Sequence, residues 1–207
     1  MSARDEILAR VQSALGRNAG DSVSDPPPPP ALAFVTTSPD ERVAMFKHAL
    51  EALAGKVTVA RTPQEAGDLA RAAVAGRTFL ASKAPILAAC GIAGSDFSRG
   101  AYAKVEVGIT SADYALAETG SLVVLTESGE SRLLSLLPPC HIAVIARSRI
   151  VENLEELLSL IPEPTAKSSG MVIITGPSRT ADIEMLLVRG VHGPGEIHVV
   201  ILEDQVA

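Results

Sequence analysis

The sequence is poor in the residues that several protein classes require. Only two of its 207 residues are cysteines, tryptophan is absent, and aromatic residues make up 3%. Two cysteines are too few for a disulfide scaffold, or for an iron–sulfur cluster held by four thiolates. The shortage of aromatic rings argues against modules that stack nucleic-acid bases. No apolar run has the length of a bilayer-spanning helix, so no membrane span is predicted.

The net charge and the first residues of the sequence further narrow the class of protein. The net charge of −6 disfavours non-specific binding to nucleic acid or to anionic membranes. The first residues are charged and lack the apolar segment of a signal peptide. Hydrophobic residues make up 47% of the chain, which is enough for one sizeable aliphatic core. We therefore expect a soluble, cytoplasmic protein with one main domain.

Composition shifts divide the chain into three parts. Residues 1–17 have apolar side chains at helical spacing and predict an amphipathic helix. Residues 18–33 contain five consecutive prolines and predict an extended linker. Residues 34–207 predict an α/β domain. The terminal helix is interpreted either as a simple appendage or as a docking helix for a partner subunit.

Helical and strand patterns alternate through the domain. Apolar spacing and capping residues predict helices at 38–53, 62–76, 85–90, 151–160 and 181–189. Apolar runs predict strands at 56–60, 77–81, 104–109, 122–125, 140–146, 171–175 and 197–202. Most of these strands are apolar on both faces. The fold class is therefore predicted as α/β, with a mainly parallel sheet and helices on both faces.

The first candidate site begins at Asp113 and contains the acidic turn that precedes the 122–125 strand. Glu118 can act as a nucleophile, a general base or a hydroxyl binder. Gly120 permits a tight turn, and the hydroxyls of Thr119 and Ser121 flank it. A helix-to-strand turn with a solvated Glu118 is the alternative interpretation.

Two further segments carry arginines that can hold an anion. Arg132 can bind a carboxylate or phosphate through two parallel hydrogen bonds. At 175–182, a predicted strand leads through a Gly-Pro turn into a predicted helix, whose free N–H groups can bind an anion beside Ser178 and Arg179. Asp182 would already satisfy that helix dipole, and the segment matches neither a P-loop nor a dinucleotide motif.

His192 lies between glycines in the segment 190–195, so a loop position is predicted. A loop histidine can transfer protons or donate hydrogen bonds to a ligand. Its spacing from His141 and His198 does not match a metal site. Cys140 and His141 are adjacent and are both expected to enter the sheet.

Four segments together resemble the LUD-domain family, and within it the lactate utilization protein C type. They are ALAETGSLV at 115–123, SLLP at 135–138, GPSRTADIE at 176–184 and GVHGP at 190–194. The resemblance covers roughly residues 40–203. It implies a fold of the NagB/RpiA/CoA-transferase type. It also implies a role in oxidising L-lactate to pyruvate beside two iron–sulfur partner proteins.

The resemblance leads to a hypothesis about function. The chain is expected to be a non-redox subunit or accessory protein, with no cofactor or metal of its own. In this hypothesis Arg132 or Arg179 holds the lactate carboxylate, and His192 or Glu118 takes a proton. A stand-alone enzyme acting on an acyl-CoA, a folate or a sugar phosphate is the alternative, and a pure assembly factor is a third. The segments that carry the predicted site should meet in space, with substrate-binding residues Thr119, Gly120, Ser121, Arg132, Ser178 and Arg179.

Overall fold

The computed structural model describes residues 3–16, 37–94, 100–125, 132–162, 168, 170–181 and 187–204. The chain divides into two compact units, Met1–Thr36 and Thr37–Ala207. The first contains helix α1 (Ala3–Ala14), whose side chains are all exposed. The predicted proline linker lies outside the described residues. Among the helices described, none combines the length and apolarity needed to cross a bilayer.

The described residues of the second unit contain five α-helices, three of which begin at a capping side chain: Ser38, Thr62 and Asn153. Their bounds are α2 (Pro39–Ala52), α3 (Pro63–Val74), α4 (Pro85–Ala89), α5 (Arg132–Leu136) and α6 (Leu154–Leu160). At the start of α2, the Glu41 N–H donates to Ser38 Oγ and the Ser38 N–H donates to the Glu41 carboxylate. Thr62 caps α3 by accepting from the Glu65 N–H. Each cap satisfies N–H groups that the first helical turn leaves unpaired.

Strands form a central parallel sheet and a second, mixed sheet. The central sheet contains β1 (Lys56–Ala60), β2 (Phe79–Ala81), β3 (Val107–Ser111), β6 (Cys140–Ala146) and β11 (Glu196–Leu202). Its order is β1-β11-β6-β3-β2, and every neighbouring pair is parallel. This sheet, with α3 and α4 packed on one of its faces, confirms the predicted α/β class with a mainly parallel sheet.

The second sheet has the order β7-β4-β5-β8. Its strands are β4 (Tyr114–Leu116), β5 (Ser121–Leu125), β7 (Ile150–Val151) and β8 (Met171–Ile174). β5 is antiparallel to both of its neighbours, and β4 is parallel to β7. Two of these strands were predicted from apolar runs, but such runs do not distinguish a second antiparallel sheet from more strands of one parallel sheet.

Hydrophobic layers explain why strands of both sheets are apolar on both sides. One core cluster joins α3 and α4 to the central sheet, and a second joins the other face of that sheet to α2 and the second sheet. A third cluster packs the far side of the second sheet against α6. The second cluster contains the side chains Phe46, Leu50, Leu122, Val124, Ile145, Ile174, Val199 and Ile201.

The predicted helix at 181–189 is wrong. Residues on either side of 182–186 form an antiparallel hairpin of β9 (Arg179–Ala181) and β10 (Leu187–Arg189). At the base of the hairpin, the Gly190 N–H donates a hydrogen bond to the Ser178 carbonyl at 3.0 Å. Such backbone hydrogen bonds between the two strands favour the hairpin over the helix that the spacing of the apolar residues predicts. Gly190 has φ +80, a left-handed conformation that favours glycine. The helix N-terminus predicted to bind an anion therefore does not form at this position.

Candidate functional site

The acidic turn connects β4 to β5, so it joins two strands rather than a helix and a strand. The Gly120 N–H donates to the Leu116 carbonyl at 3.0 Å and closes the turn. The Glu118 N–H donates to the Glu152 carbonyl at 2.9 Å, which ties the turn to the residue after β7. The Glu118 side chain is exposed. The turn thus fixes the Glu118 backbone and leaves its carboxylate in solvent.

Gly120 brings this turn into contact with the backbone of α2. Its φ is +66, and a Cβ added there would lie 2.5 Å from the Leu50 nitrogen and 2.9 Å from the Ala49 carbonyl carbon. Those distances are far below van der Waals contact, so only glycine fits. Gly120 therefore positions the turn on α2, while the flanking hydroxyls project from it.

A chain of hydroxyl groups links the turn to the end of β8. Thr119 Oγ1 and Ser121 Oγ lie 2.7 Å apart, and Ser121 Oγ lies 2.7 Å from Thr175 Oγ1. Ser121 is buried, whereas Thr119 and Thr175 are exposed. The antiparallel register, which pairs Leu122 with Ile174, places these side chains at one end of the sheet. The acidic turn and the predicted anion-binding segment at 175–182 are thereby connected.

The next residues after β8 contact the end of α2. Gly176 has φ +76, and an added Cβ would lie 2.9 Å from Leu53 Cβ. The Arg179 Nη2 donates to the Leu53 carbonyl, just beyond the last turn of α2. A cation is favourable at a helix C-terminus because the carbonyl groups there carry partial negative charge. This contact fixes one edge of the Arg179 guanidinium.

Ser178 fastens the glycine-rich loop that carries His192. The Ser178 N–H donates to the Pro194 carbonyl at 2.8 Å, and the His192 N–H donates to Ser178 Oγ at 3.3 Å. The His192 backbone is held in this way, while its residue as a whole is exposed. The third predicted segment therefore joins the other two through hydrogen bonds.

These segments enclose a cavity of about 410 Å³, named here the hairpin cleft. One wall is formed by residues 172–179 and the other by residues 192–194, with Leu53, Leu136 and Ile197 completing the lining. An adjoining cavity of about 680 Å³ shares Leu136, His192 and Gly193 with the cleft and is also lined by Arg189. Cleft-lining residues include Ser178, Arg179 and His192 from the predicted site.

Glu118 and Arg132 are absent from the described lining of the hairpin cleft. Arg132 is the exposed first residue of α5, and its carbonyl accepts from Ser135 Oγ at 3.0 Å. The helix that begins with Arg132 reaches the cleft through Leu136. Neither Glu118 nor Arg132 is therefore part of the described cleft, although Leu136 of the same helix as Arg132 lines it.

A second cavity of about 390 Å³, named here the carboxyl-edge pocket, was missed from the sequence. It lies at the carboxyl ends of β3 and β6, and Ser111, Asp113, Tyr114 and Arg149 contribute polar groups to its lining. Ligands of open α/β sheets commonly bind outside the carboxyl ends of the strands. Asp113 begins the first candidate site, but no separate pocket was predicted around it; the strand-end rule, applied after β3, is the signal that could have found it.

His141 is buried in the central sheet, as predicted. Its Nε2 lies 2.8 Å from Thr110 Oγ1, and within the described residues its Nδ1 has no hydrogen-bond partner. Burial lowers the pKa of His141 to about 4, because the charged ring would lose its hydration. The ring is therefore neutral near pH 7.

One group of side chains has the composition of a metal site. The ligand atoms of Cys140, Glu196 and His198 all lie within 4.8 Å of one another at the amino ends of β6 and β11. Arg77 already contacts two of them, with Nη1 3.3 Å from Glu196 Oε2 and Nη2 3.6 Å from Cys140 Sγ. Because a guanidinium neutralises this group, and burial raises the pKa of the Cys140 thiol, the arrangement is poorly suited to a cation.

Comparisons with known proteins place these features in a family. A family model described as the LUD domain matches residues 93–202. Lactate utilization protein C of Halalkalibacterium halodurans is 41% identical over 106 residues, which cover 49% of this chain and 46% of that relative. The protein of the same name from Geobacillus sp. (strain WCH70) is 42% identical over 106 residues, covering 49% and 44%. The chain spans about half the length of these curated relatives.

A solved structure supports the same fold. A DUF162 family protein from Deinococcus radiodurans superposes with a TM-score of 0.63 at 20% identity, covering 81% of this chain and 99% of the other. At that identity the likeness concerns the fold alone. The family model, in contrast, covers more than half of the sequence and includes the turn, the hairpin and the glycine-rich loop. The chain belongs to the LUD domain family.

Proposed function

We propose that this chain is a component of a lactate-utilization system and binds the carboxylate of L-lactate in the hairpin cleft. The names of its curated relatives support the role in lactate utilization. The observation that carries the choice of site is the joint position of Arg179 and His192 on one cavity. A cation can bind the carboxylate of a hydroxy acid, and an imidazole can bind its hydroxyl.

Arg179 is the anchor for the carboxylate in this proposal. Its Nη2 is held by the Leu53 carbonyl, so the guanidinium is oriented before a ligand arrives. In the described part of the chain, Arg179 has no carboxylate partner. A charge-assisted hydrogen bond to a ligand carboxylate is worth about 1.5–3 kcal/mol. Because the Arg179 guanidinium is already oriented, ligand binding costs less side-chain conformational entropy.

His192 is the proposed partner of the lactate hydroxyl. Its backbone is fixed through Ser178, and its exposed ring can accept a proton from the hydroxyl group. Glu118, on the turn at the same end of the second sheet, is the alternative proton acceptor. If His192 accepts the proton, a substitution of His192 should abolish turnover while lactate still binds. If Glu118 accepts it, a substitution of Glu118 should do so instead.

Iron–sulfur proteins are the proposed partners. Oxidation of lactate to pyruvate releases two electrons and two protons. In this proposal the hydroxyl proton passes to His192, the hydrogen on C2 leaves as the second proton to solvent, and the two electrons need an acceptor. Cys90 and Cys140 cannot supply the four thiolates of a common cluster, and both are buried in the core. We therefore propose that the electrons pass to clusters in partner subunits, while this chain contributes substrate binding.

Calorimetric titration of the full chain with L-lactate tests the proposed site. Arg179→Gln should weaken binding by at least about tenfold, because the charge-assisted bond is lost. Arg71→Gln is the matched control, since Arg71 is exposed and lines neither cavity, and its partners among the described residues are Asp68 of its own helix and the Gly91 carbonyl. Equal lactate affinity in wild type and Arg179→Gln would contradict the site. Loss of binding in Arg132→Gln alone would move the anchor to α5.

A pair of arginines in the hairpin supports a second candidate function, the binding of a longer anionic ligand. Arg179 and Arg189 are directly opposite each other in the hairpin, an arrangement that repulsion destabilises unless an anion lies nearby. Together with the adjoining cavity of about 680 Å³, this pair favours a longer anion such as an acyl-CoA, a folate or a sugar phosphate. A stand-alone enzyme would then be expected. A thermal shift with one of these ligands that Arg189→Gln removes, and none with L-lactate, would support it.

A further inference from the structure

The carboxyl-edge pocket is separate from the hairpin cleft. It lies where the chain passes from the end of β3 into β4, between the central and second sheets. Among the described residues, none lines both cavities. Its volume of about 390 Å³ falls within the range of small-molecule sites, and its position is the usual one for ligands of α/β sheets.

Arg149 supplies a cation whose orientation is fixed in advance. Its guanidinium carbon lies 5.4 Å from the centroid of the Tyr114 ring, and its Nη1 donates to the Tyr114 hydroxyl at 3.3 Å. Stacking on an aromatic face restricts the planar guanidinium and leaves other N–H groups for a ligand. Within the described residues, no carboxylate pairs with Arg149. A planar carboxylate is the ligand group that this geometry fits best.

Asp113 brings a negative charge to the same lining. The Leu125 N–H donates to Asp113 Oδ2 at 2.7 Å, which holds the carboxylate at the edge of the pocket. A carboxylate accepts hydrogen bonds from hydroxyl or ammonium groups and repels a second anionic group. Around these polar groups, Ile86, Leu125 and Ile161 form apolar walls. The pocket therefore combines the Arg149 cation, the Asp113 carboxylate and an aliphatic surface.

We propose that the carboxyl-edge pocket binds a small aliphatic monocarboxylate that also carries a hydroxyl or an ammonium group. The ligand carboxylate lies on Arg149, its donor group on Asp113, and its carbon chain against Ile86 and Ile161. Dicarboxylates are disfavoured because their second charge meets Asp113. This site stands independently of the hairpin cleft, since the two cavities have different arginines.

The test is calorimetric titration of the full chain with four matched probes: 4-hydroxybutyrate, 4-aminobutyrate, butyrate and succinate. The probe with the preferred donor group should bind roughly threefold to tenfold more tightly than butyrate, because butyrate lacks one hydrogen bond. Succinate should bind more weakly than butyrate. The stronger of the hydroxy and amino probes identifies the donor group that the pocket selects.

Two variants connect that binding to this pocket. Arg149→Gln should weaken the preferred probe by at least about tenfold. Asp113→Asn retains an oxygen for the Leu125 N–H, and it should remove the discrimination against succinate. Arg71→Gln is the control and should bind all probes as wild type does. Circular dichroism spectra that match wild type establish that the variants are folded.

Three outcomes would overturn the proposal: no saturable binding of any probe, unchanged affinity in Arg149→Gln, or succinate binding as tightly as the hydroxy and amino probes. Titration of the same variants with L-lactate separates the two proposals. Loss of lactate binding in Arg149→Gln but not in Arg179→Gln would support the carboxyl-edge pocket and would refute the hairpin cleft as the lactate site.

Discussion

Replacing Gly120 by alanine is the sharpest perturbation of the site architecture. The turn that carries Thr119 and Ser121 rests on α2 through this glycine, so the substitution inserts a methyl group between two backbones. The added Cβ would lie 2.5 Å from the Leu50 nitrogen, 2.9 Å from Leu50 Cα and 2.9 Å from the Ala49 carbonyl carbon. Backbone atoms cannot move aside by changing rotamer, so the turn and α2 must separate.

The cost has two parts that the structure allows to be estimated. A non-glycine residue at φ +66 costs roughly 1–2 kcal/mol in backbone conformation. Inserting a methyl group into a packed contact costs roughly 1–3 kcal/mol more. The free energy of unfolding should therefore fall by roughly 3 kcal/mol. For a unit of this size that corresponds to a decrease in Tm of roughly 6–12 °C.

Gly76→Ala is the matched control for this measurement. Gly76 has φ +76, but an added Cβ would meet no atom within 4 Å, so only the conformational part applies. Urea unfolding followed by circular dichroism gives both free energies. Gly120→Ala should lose roughly 1–3 kcal/mol more than Gly76→Ala. Equal losses in the two variants would refute the close approach of the turn to α2.

Three further predictions test the core and the helix ends. Because burial lowers the pKa of His141 from 6.5 to about 4, the unfolded chain takes up this proton first, and stability should fall by about 3 kcal/mol as pH decreases from 6.5 to 4. His141→Gln should flatten that part of the urea midpoint profile, and a profile unchanged by the substitution would contradict the assignment. Burial raises the pKa of both Cys90 and Cys140, so Ellman's reagent should label native protein slowly and unfolded protein fast; rapid native labelling would count against it. Ser38→Ala should cost about 1 kcal/mol of unfolding free energy through loss of the α2 cap, and no change by urea unfolding would argue that the cap is dispensable.

Local chemistry explains which parts of the fold were predictable. The helices at Pro39 and Pro63 follow from a capping residue, a proline and helical apolar spacing within one short segment. The parallel strands follow from apolar runs between helices. In each case the residues that determine the structure are neighbours in sequence.

Features that depend on distant contacts were missed. The β9–β10 hairpin is held by Ser178, Gly190 and Pro194, whereas apolar spacing alone favoured a helix. The role of Gly120 depends on a helix about 70 residues earlier in the chain. The carboxyl-edge pocket exists because sheet order brings Arg149 to Tyr114. None of these pairings leaves a periodic pattern in the sequence.

In the candidate site, too, the segments were predictable from local motifs, whereas the directions of individual side chains were not. Motif composition indicated the turn, the hairpin segment and the glycine-rich loop, and the hydroxyl chain and Ser178 connect them in the structure. Side-chain direction was not predictable, and Glu118 and Arg132 lie outside the described lining of the hairpin cleft. Their proposed roles therefore depend on the variants described above.

Lactate oxidation by the purified partner complex tests the central claim most directly. The iron–sulfur partners are purified with and without this chain, and L-lactate-dependent reduction of an electron acceptor is measured. The proposal predicts background activity without the chain, recovery on adding wild type, and no recovery with Arg179→Gln at the same concentration. Equal lactate oxidation in the absence of the chain would contradict the proposed function.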